Sequence, residues 1–162
     1  MAENFIDVSL DDEHLGDWFP YFKSRVDPQT GDVVYDPPID NGPRVRVRGL
    51  GPFYEARLAE RKRRVEHVLN PKSGRMERIS YLPELSFADA AKERDDSFDF
   101  AITGLEGFRD VKTKQELSCD RETKLKLMKI PEFDRFVARC LQIISEAGLA
   151  EKEEEEKNLP TG

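Results

Sequence analysis

Cysteine and histidine, which form most zinc sites and many nucleophile–base pairs, are scarce in this sequence. Among 162 residues there are two cysteines, two histidines and one tryptophan. Cys119 and Cys140 have no second cysteine or histidine at zinc-site spacing, and neither His14 nor His67 belongs to a carboxylate pattern that would make a ligand set or a catalytic dyad. No glycine-rich phosphate loop and no nucleophile motif is present. We therefore expect no catalytic residue, no metal site, no cofactor and no enzymatic activity, with both cysteines as buried, reduced thiols.

The sequence also lacks a long apolar run. No stretch approaches the roughly 20 apolar residues that a membrane-spanning helix needs. The N-terminal sequence MAENFIDVSLDDEH is acidic, whereas a signal peptide starts with basic residues followed by an apolar segment. Charged residues make up 36% of the chain and the mean hydropathy is -0.68. We expect a highly charged protein that stays in the cytoplasm of the cell that makes it and has no membrane partner.

The charge is unevenly distributed along the chain, although the net charge is only -7. Residues 1–20 hold six acids and no Lys or Arg, residues 44–78 hold eleven bases against four acids, and residues 146–157 hold six acids against two lysines. The basic part raises the question of nucleic-acid binding. The net acidity and the few aromatic residues beside the arginines argue against it, so we expect a solvated or protein-facing surface.

Three stretches of the sequence resemble one another: VDPQTGDVVY (26–35), LNPKSGRMER (69–78) and RDVKTKQELS (109–118). In the first two, Asp or Asn accepts hydrogen bonds from the backbone just ahead, Pro presets φ, and Gly supplies a left-handed residue. The third lacks both Pro and Gly. We predict three hairpin tips that arose from independent use of favoured turn residues rather than from a repeat.

The remaining elements follow from hydrophobic periodicity. RVRVRGL predicts a strand with Val45 and Val47 buried and the arginines on its outer side. A charged helix is predicted from Pro52 to near Arg64, with Val65 on its apolar stripe, and a second helix from about 87 to 103.

Two further helices are predicted near the C-terminal end. Asp120 is expected to cap a short helix, and Pro131 to open a longer one whose apolar stripe runs from Phe133 to Ile144 and which stops at Gly148. The predicted class is α+β. It comprises a β-rich domain (1–85) of short antiparallel hairpins with one charged helix, a helical domain (86–148) with a small hairpin, and a disordered acidic tail (149–162).

Between about residues 97 and 145, short motifs follow one another in a particular order. They are Ile102, Gly104, Leu105, Phe108 and Asp110, then a polar turn, then Leu117, Cys119, Asp120, Glu122 and Leu127, and finally Phe133 to Ile144. This order resembles the tail assembly chaperones of long-tailed bacteriophages and prophages. Leu105 stands where the family often has an aromatic residue, and the turn lacks the usual glycine. The resemblance does not extend to residues 1–85.

The resemblance implies a non-enzymatic protein in the cytoplasm of the bacterial host. Such chaperones bind the tape measure protein and keep it soluble while tail tube proteins assemble around it. The tail tube protein and a second copy of the chain are further partners to consider. Candidate protein-binding residues are Leu127, Met128, Phe133, Phe136, Arg139, Arg57, Arg61 and Arg64. For the stripe from Phe133 to Ile144, burial in the core is the favoured alternative.

Two other functions stay open. A structural tail or head-completion component would remain in the purified virion, whereas an assembly chaperone would not. A nucleic-acid-binding regulator would use the basic segment 44–64 and would retain DNA or RNA in a salt-dependent way.

Overall fold

A computed structural model describes residues 15–158; residues 1–14 and 159–162, which include His14 and most of the N-terminal acids, lie outside the described part. The described part contains four helices and seven strands. The strands are β1 (Asp17–Pro20), β2 (Ser24–Val26), β3 (Val33–Tyr35), β4 (Arg44–Val47), β5 (Arg64–Leu69), β6 (Met76–Tyr81) and β7 (Ile102–Glu106). The helices are α1 (Gly51–Glu60), α2 (Phe87–Ala101), α3 (Arg121–Met128) and α4 (Pro131–Lys157).

The fold belongs to the α+β class, as predicted. All described sheets are antiparallel: a three-stranded sheet in the order β1-β4-β7 and two hairpins, β2-β3 and β5-β6. The chain divides into two compact units, one of residues 15–49 with 98–158 and one of residues 50–97. The predicted boundary at residue 85 therefore needs correction. Because β4 pairs with β7, the N-terminal strands and the C-terminal helices share one core.

The core of the first unit lies between the three-stranded sheet and helices α3 and α4. Val45 and Val47 of β4 are fully buried, as the alternation predicted, and Val45 stands opposite Leu105 of β7. The apolar face of α4 packs against them. The buried cluster consists of Val45, Val47, Ile102, Leu105, Leu127, Met128, Phe133, Phe136, Val137 and Cys140. Cys140 is buried as predicted, whereas the free thiol of Cys119 is only half-buried.

The prediction of a helix running to residue 103 was wrong at its end. Helix α2 stops at Ala101, and the next five residues form strand β7 along β4. Short apolar runs do not distinguish strand from helix by periodicity. Residues 102–106 form a strand because their pairing with β4 satisfies backbone hydrogen-bonding groups of β4 that a longer α2 would leave unpaired.

The charged helix α1 is shorter than predicted. It ends at Glu60, Arg61 has extended backbone angles, and Val65 lies in strand β5 rather than on a helical stripe. Four consecutive bases start at Arg61. Like charges three residues apart repel on a helix, which favours an extended chain at this point.

Helix α4 is longer than predicted. Gly148 was expected to stop it, but it has no left-handed φ, and the helix continues to Lys157. The expected disorder from residue 149 onward is therefore wrong as far as residue 158, and the rest of that segment lies outside the described residues. A glycine inside a helix costs about 1 kcal/mol relative to alanine, which weakens a helix without forbidding it.

The three predicted hairpin tips are confirmed and share one geometry. In each tip the carbonyl of the first residue accepts from the amide four residues ahead: Gly31 to Asp27 (2.8 Å), Gly74 to Asn70 (2.9 Å) and Lys114 to Asp110 (2.9 Å). The side chain of the same first residue also accepts from the amide two residues ahead. At the third tip Lys114 takes the left-handed conformation, with φ of 59°, that glycine takes in the other two.

Gly104 and Gly148 are predicted to respond in opposite directions to an added methyl group. A Cβ at Gly104 would lie 2.7 Å from Cη2 of Trp18, whereas a Cβ at Gly148 would meet no atom within 4 Å. Gly104→Ala should lower the free energy of unfolding by about 1–3 kcal/mol through overpacking. Gly148→Ala should strengthen the end of α4 by about 0.5–1 kcal/mol.

Urea unfolding measures the first effect, and amide exchange of residues 145–157 measures the second. Stability changes of the same sign and size in Gly104→Ala and Gly148→Ala would contradict the packing of Trp18 over β7.

Candidate functional site

Two of the three candidate arginines of the second unit take part in ion pairs within that unit. The guanidinium of Arg57 lies 2.7 Å from the carboxylate of Asp96, and that of Arg61 lies 2.7 Å from Glu93. These pairs join α1 to α2 and line a cavity of about 220 Å³. Arg64 is separate from them and stands on β5 opposite Tyr81. Two of the three cations therefore hold the unit together.

The arginines of β4, and Arg48 directly after it, are also engaged. The guanidinium of Arg44 lies 4.4 Å, and that of Arg46 5.1 Å, from the ring centroid of Trp18. Arg48 donates to the carbonyl of Phe100 at 2.6 Å and stacks on its ring at 3.7 Å. The aromatic partners come from distant parts of the sequence, so inspection of the neighbouring residues misses them. This geometry gives a phosphate-binding surface little support.

The predicted apolar binding residues lie in the core. Met128, Phe133 and Phe136 are each at most 4% exposed, and Leu127 is 9% exposed. They are brought together in one cluster, in agreement with the core alternative for the α4 stripe. Arg139 is half-buried on α4. Of these five, Leu127 also reaches a surface groove.

That groove lies in the first unit, between the third hairpin tip and α3, and has a volume of about 480 Å³. One wall is formed by residues 109–112 of the tip. The other is formed by Thr123, Lys126 and Leu127 of α3, with Leu117 and Ile130 also lining it. We call this the tip–α3 groove.

Apolar side chains form an exposed strip along the tip–α3 groove. Val111 is 83% exposed at the hairpin tip, and Ile130 is 49% exposed just before α4. Leu127 connects this strip to the core. Covering large apolar side chains at this exposure with a partner lowers the free energy, because apolar surface is removed from water.

The edge of the tip–α3 groove is cationic. Arg109, Lys112 and Lys126 line it together with one carboxylate, Asp110. The Asp110 side chain accepts from the backbone amide of Lys112 at 2.7 Å, so it serves the turn. A hydrogen bond to Glu122 raises the pKa of Lys126 above its usual range. The pair with Glu122 is well exposed on both sides, so it competes weakly with a partner carboxylate.

Helix α3 is capped at its start and anchored to the core. Asp120 caps it by accepting from the amide of Thr123 at 2.8 Å. Buried Lys124 donates to the carbonyls of Asp99 and Ile102, both at 2.9 Å, just where α2 ends. Burial raises the pKa of Asp99, but Lys124 and Arg121 outweigh it and leave the pKa below its ordinary value. The α3 wall of the groove is therefore anchored rather than loose.

Sequence reasoning missed the groove residues Val111, Lys112, Lys126 and Ile130. A signal existed at Val111, which occupies the position of Pro28 and Pro71 in the other two tips. An apolar, β-branched residue at the point of a hairpin serves neither the turn nor the core. Such a residue is a candidate for contact with a partner.

Other kinds of site have no geometric support in the described part of the chain. Among residues 15–158, no group of three or more His, Cys, Asp or Glu side chains is arranged to hold a metal ion. Burial raises the pKa of the Cys140 thiol to about 12 and raises that of Cys119, so neither thiol is activated. None of the described helices is long and apolar enough to cross a membrane.

Comparison with known proteins gives no match: no protein-family model, no curated protein and no solved structure is similar to this chain.

The cap of α3 predicts a specific pH dependence of stability. The amide of Thr123 and the hydroxyl of Ser118 lower the pKa of Asp120 from 3.8 to about 2. Because the folded-state pKa is depressed, the charged cap contributes stability above about pH 4 and loses it as the pH falls towards 2. Asp120→Asn retains a capping acceptor without titrating.

We expect wild type to be more stable than Asp120→Asn at neutral pH and the difference to vanish by about pH 2. Urea midpoints of the two proteins across this range measure it. A difference that is constant with pH would contradict the assigned cap, and Asp120→Ala should be less stable than Asp120→Asn throughout.

Proposed function

We propose that this protein is a tail assembly chaperone of a long-tailed phage or prophage, acting in the cytoplasm of the bacterial host. In this role it binds helical segments of the tape measure protein in the tip–α3 groove and keeps them soluble while the tail tube assembles. It performs no bond-making chemistry.

The observation that carries the proposal is the position of the groove. The motifs that resemble the chaperone family run from Ile102 to Ile144, and the exposed apolar strip lies inside that stretch. The turn of the family motif forms one wall and the capped helix forms the other. The stretch that resembles the family thus contributes a surface as well as a core.

The residues of the groove favour a client of one particular chemistry. An amphipathic helix placed there would cover Val111 and Ile130 with apolar residues at i, i+3, i+4 and i+7. Acidic residues beside that stripe would meet Lys112 and Lys126. We therefore expect client segments to be helices with an apolar stripe flanked by Asp or Glu, and binding to weaken with salt.

Co-expression with a tape measure fragment tests the proposal. The fragment should remain in the soluble fraction only when this protein is present. Val111→Asp and Ile130→Asp should abolish that effect while the fold is retained, because both side chains are already exposed. Lys112→Glu should reduce the soluble yield severalfold.

Lys72 provides a matched control for Lys112. It occupies the same position in a tip of the same geometry, but in the second unit. Lys72→Glu should leave fragment solubility unchanged. Precipitation of the fragment with the wild-type protein, or equal loss with Lys72→Glu, would count against the chaperone role.

The two alternative functions have separate outcomes. Presence of the protein in purified virions would favour a structural component. Retention of DNA or RNA that falls steeply with salt would favour a nucleic-acid-binding regulator using segment 44–64.

A further inference from the structure

Helix α4 extends well beyond the core that it packs against. Ile144 is the last of its residues in contact with the core cluster. From residue 145 onward the helix is exposed apart from Gly148, and Leu149 is 60% exposed. More than three turns of helix therefore lie without cover from the described residues of their own chain.

This extension is poorly stabilised by its own sequence. Gly148 lowers helix propensity, and six acids against two lysines lie at residues 146–157. Acidic residues at a helix C-terminus add to the negative end of the macrodipole instead of offsetting it. Glu151 and Glu155 also stand one turn apart and repel. A cationic partner would relieve both electrostatic penalties.

The acidic and apolar residues of the extension share one face. Glu146 lies three residues before Leu149 and Glu153 lies four residues after it, so the three side chains stand in a row. The tip–α3 groove offers the complementary chemistry, because the apolar side chains of Val111 and Ile130 line it together with the cations Lys112 and Lys126. We propose that the groove takes the acidic end of α4, residues 146–157, from a second copy of this chain.

A second copy is required because one copy cannot make the contact by itself. Ile130 lines the groove and is also the residue that caps α4. Leu149 follows it by 19 residues, which is about 28 Å along a straight helix. The helix end points away from the groove of its own chain as long as α4 is intact.

The resulting association is head-to-tail. Each copy contributes one groove and one helix end, so the two surfaces in contact differ, and copies add in a row or close into a ring. The contact uses the groove of the proposed function but does not depend on a client. Self-association is measured on the chain alone, so its failure leaves the co-expression result unaffected.

Sedimentation of the full chain at low and high salt tests the proposal. The mass should rise above the 18.7 kDa of one chain as concentration increases at low salt, and return to one chain at high salt because exposed ion pairs are screened. Lys112→Glu/Lys126→Glu should weaken association about tenfold, and Glu146→Lys/Glu153→Lys should do the same.

Mixing the two variants provides the decisive measurement. The groove variant has an acidic groove and the acidic helix end of wild type. The helix-end variant has the basic groove of wild type and a helix end in which two acids are replaced by lysines. Each variant should be mostly a single chain when alone. Association should return on mixing, because the acidic helix end of the groove variant can bind the basic groove of the helix-end variant. Circular dichroism verifies that both variants remain folded.

Lys72→Glu/Arg75→Glu is the control, because it changes the net charge as much as the groove variant but lies at the second hairpin tip. It should associate like wild type. A wild-type mass of one chain at every concentration, a mixture that stays dissociated, or an equal loss in the control would each overturn the proposal. Loss of association in the groove variant but not in the helix-end variant would also overturn it, because a segment other than the end of α4 would then occupy the groove.

Discussion

The antiparallel pairing of β4 with β7 is the contact on which the first unit depends. It joins two segments separated in sequence by residues 48–101, and it places Val45 opposite Leu105 in the core. The pairing also sets the surroundings of Gly104, whose missing side chain leaves room for the ring of Trp18. Once β7 is fixed, the chain leaves the sheet at Glu106 and enters the third hairpin tip. The tip–α3 groove is thus positioned by a long-range strand pairing rather than by its own turn.

The charges of the chain are used unequally, which explains why a highly charged sequence has a small candidate site. Arginines on β4 and α1 face aromatic rings and carboxylates from distant segments, so these cations stabilise their own units. The lysines around the groove differ from them. Within residues 15–158, Lys126 forms an exposed pair with Glu122, which contributes little in water. A count of bases along the sequence does not separate these two groups, because the separation arises from tertiary partners.

Local features of the fold were predictable from the sequence and non-local ones were not. Turn chemistry predicted all three tips, the cap at Asp120 and the start of α4 at Pro131, since each depends on residues within one turn. The end of α2 depends on the exposed edge of β4, and the end of α1 on a run of bases followed by a hairpin, so periodicity failed at both. The candidate apolar residues lie in the core, because a regular apolar stripe on a helix is the pattern of a face that packs against the rest of the protein. The exposed strip at Val111 and Ile130 has no periodicity, because two different elements contribute to it.

The proposed client site and the proposed self-contact share one groove, and this has a thermodynamic consequence. Two ligands that occupy the same surface exclude each other, so each lowers the apparent affinity of the other. The helix end offers one exposed leucine between acids, whereas a client helix with a full apolar stripe would cover more of Val111 and Ile130. The self-contact would then be the weaker of the two and would cover the apolar strip only while no client is present. Protection of the strip and release to the client would follow from the same difference in buried apolar area, without any change in the fold of either unit.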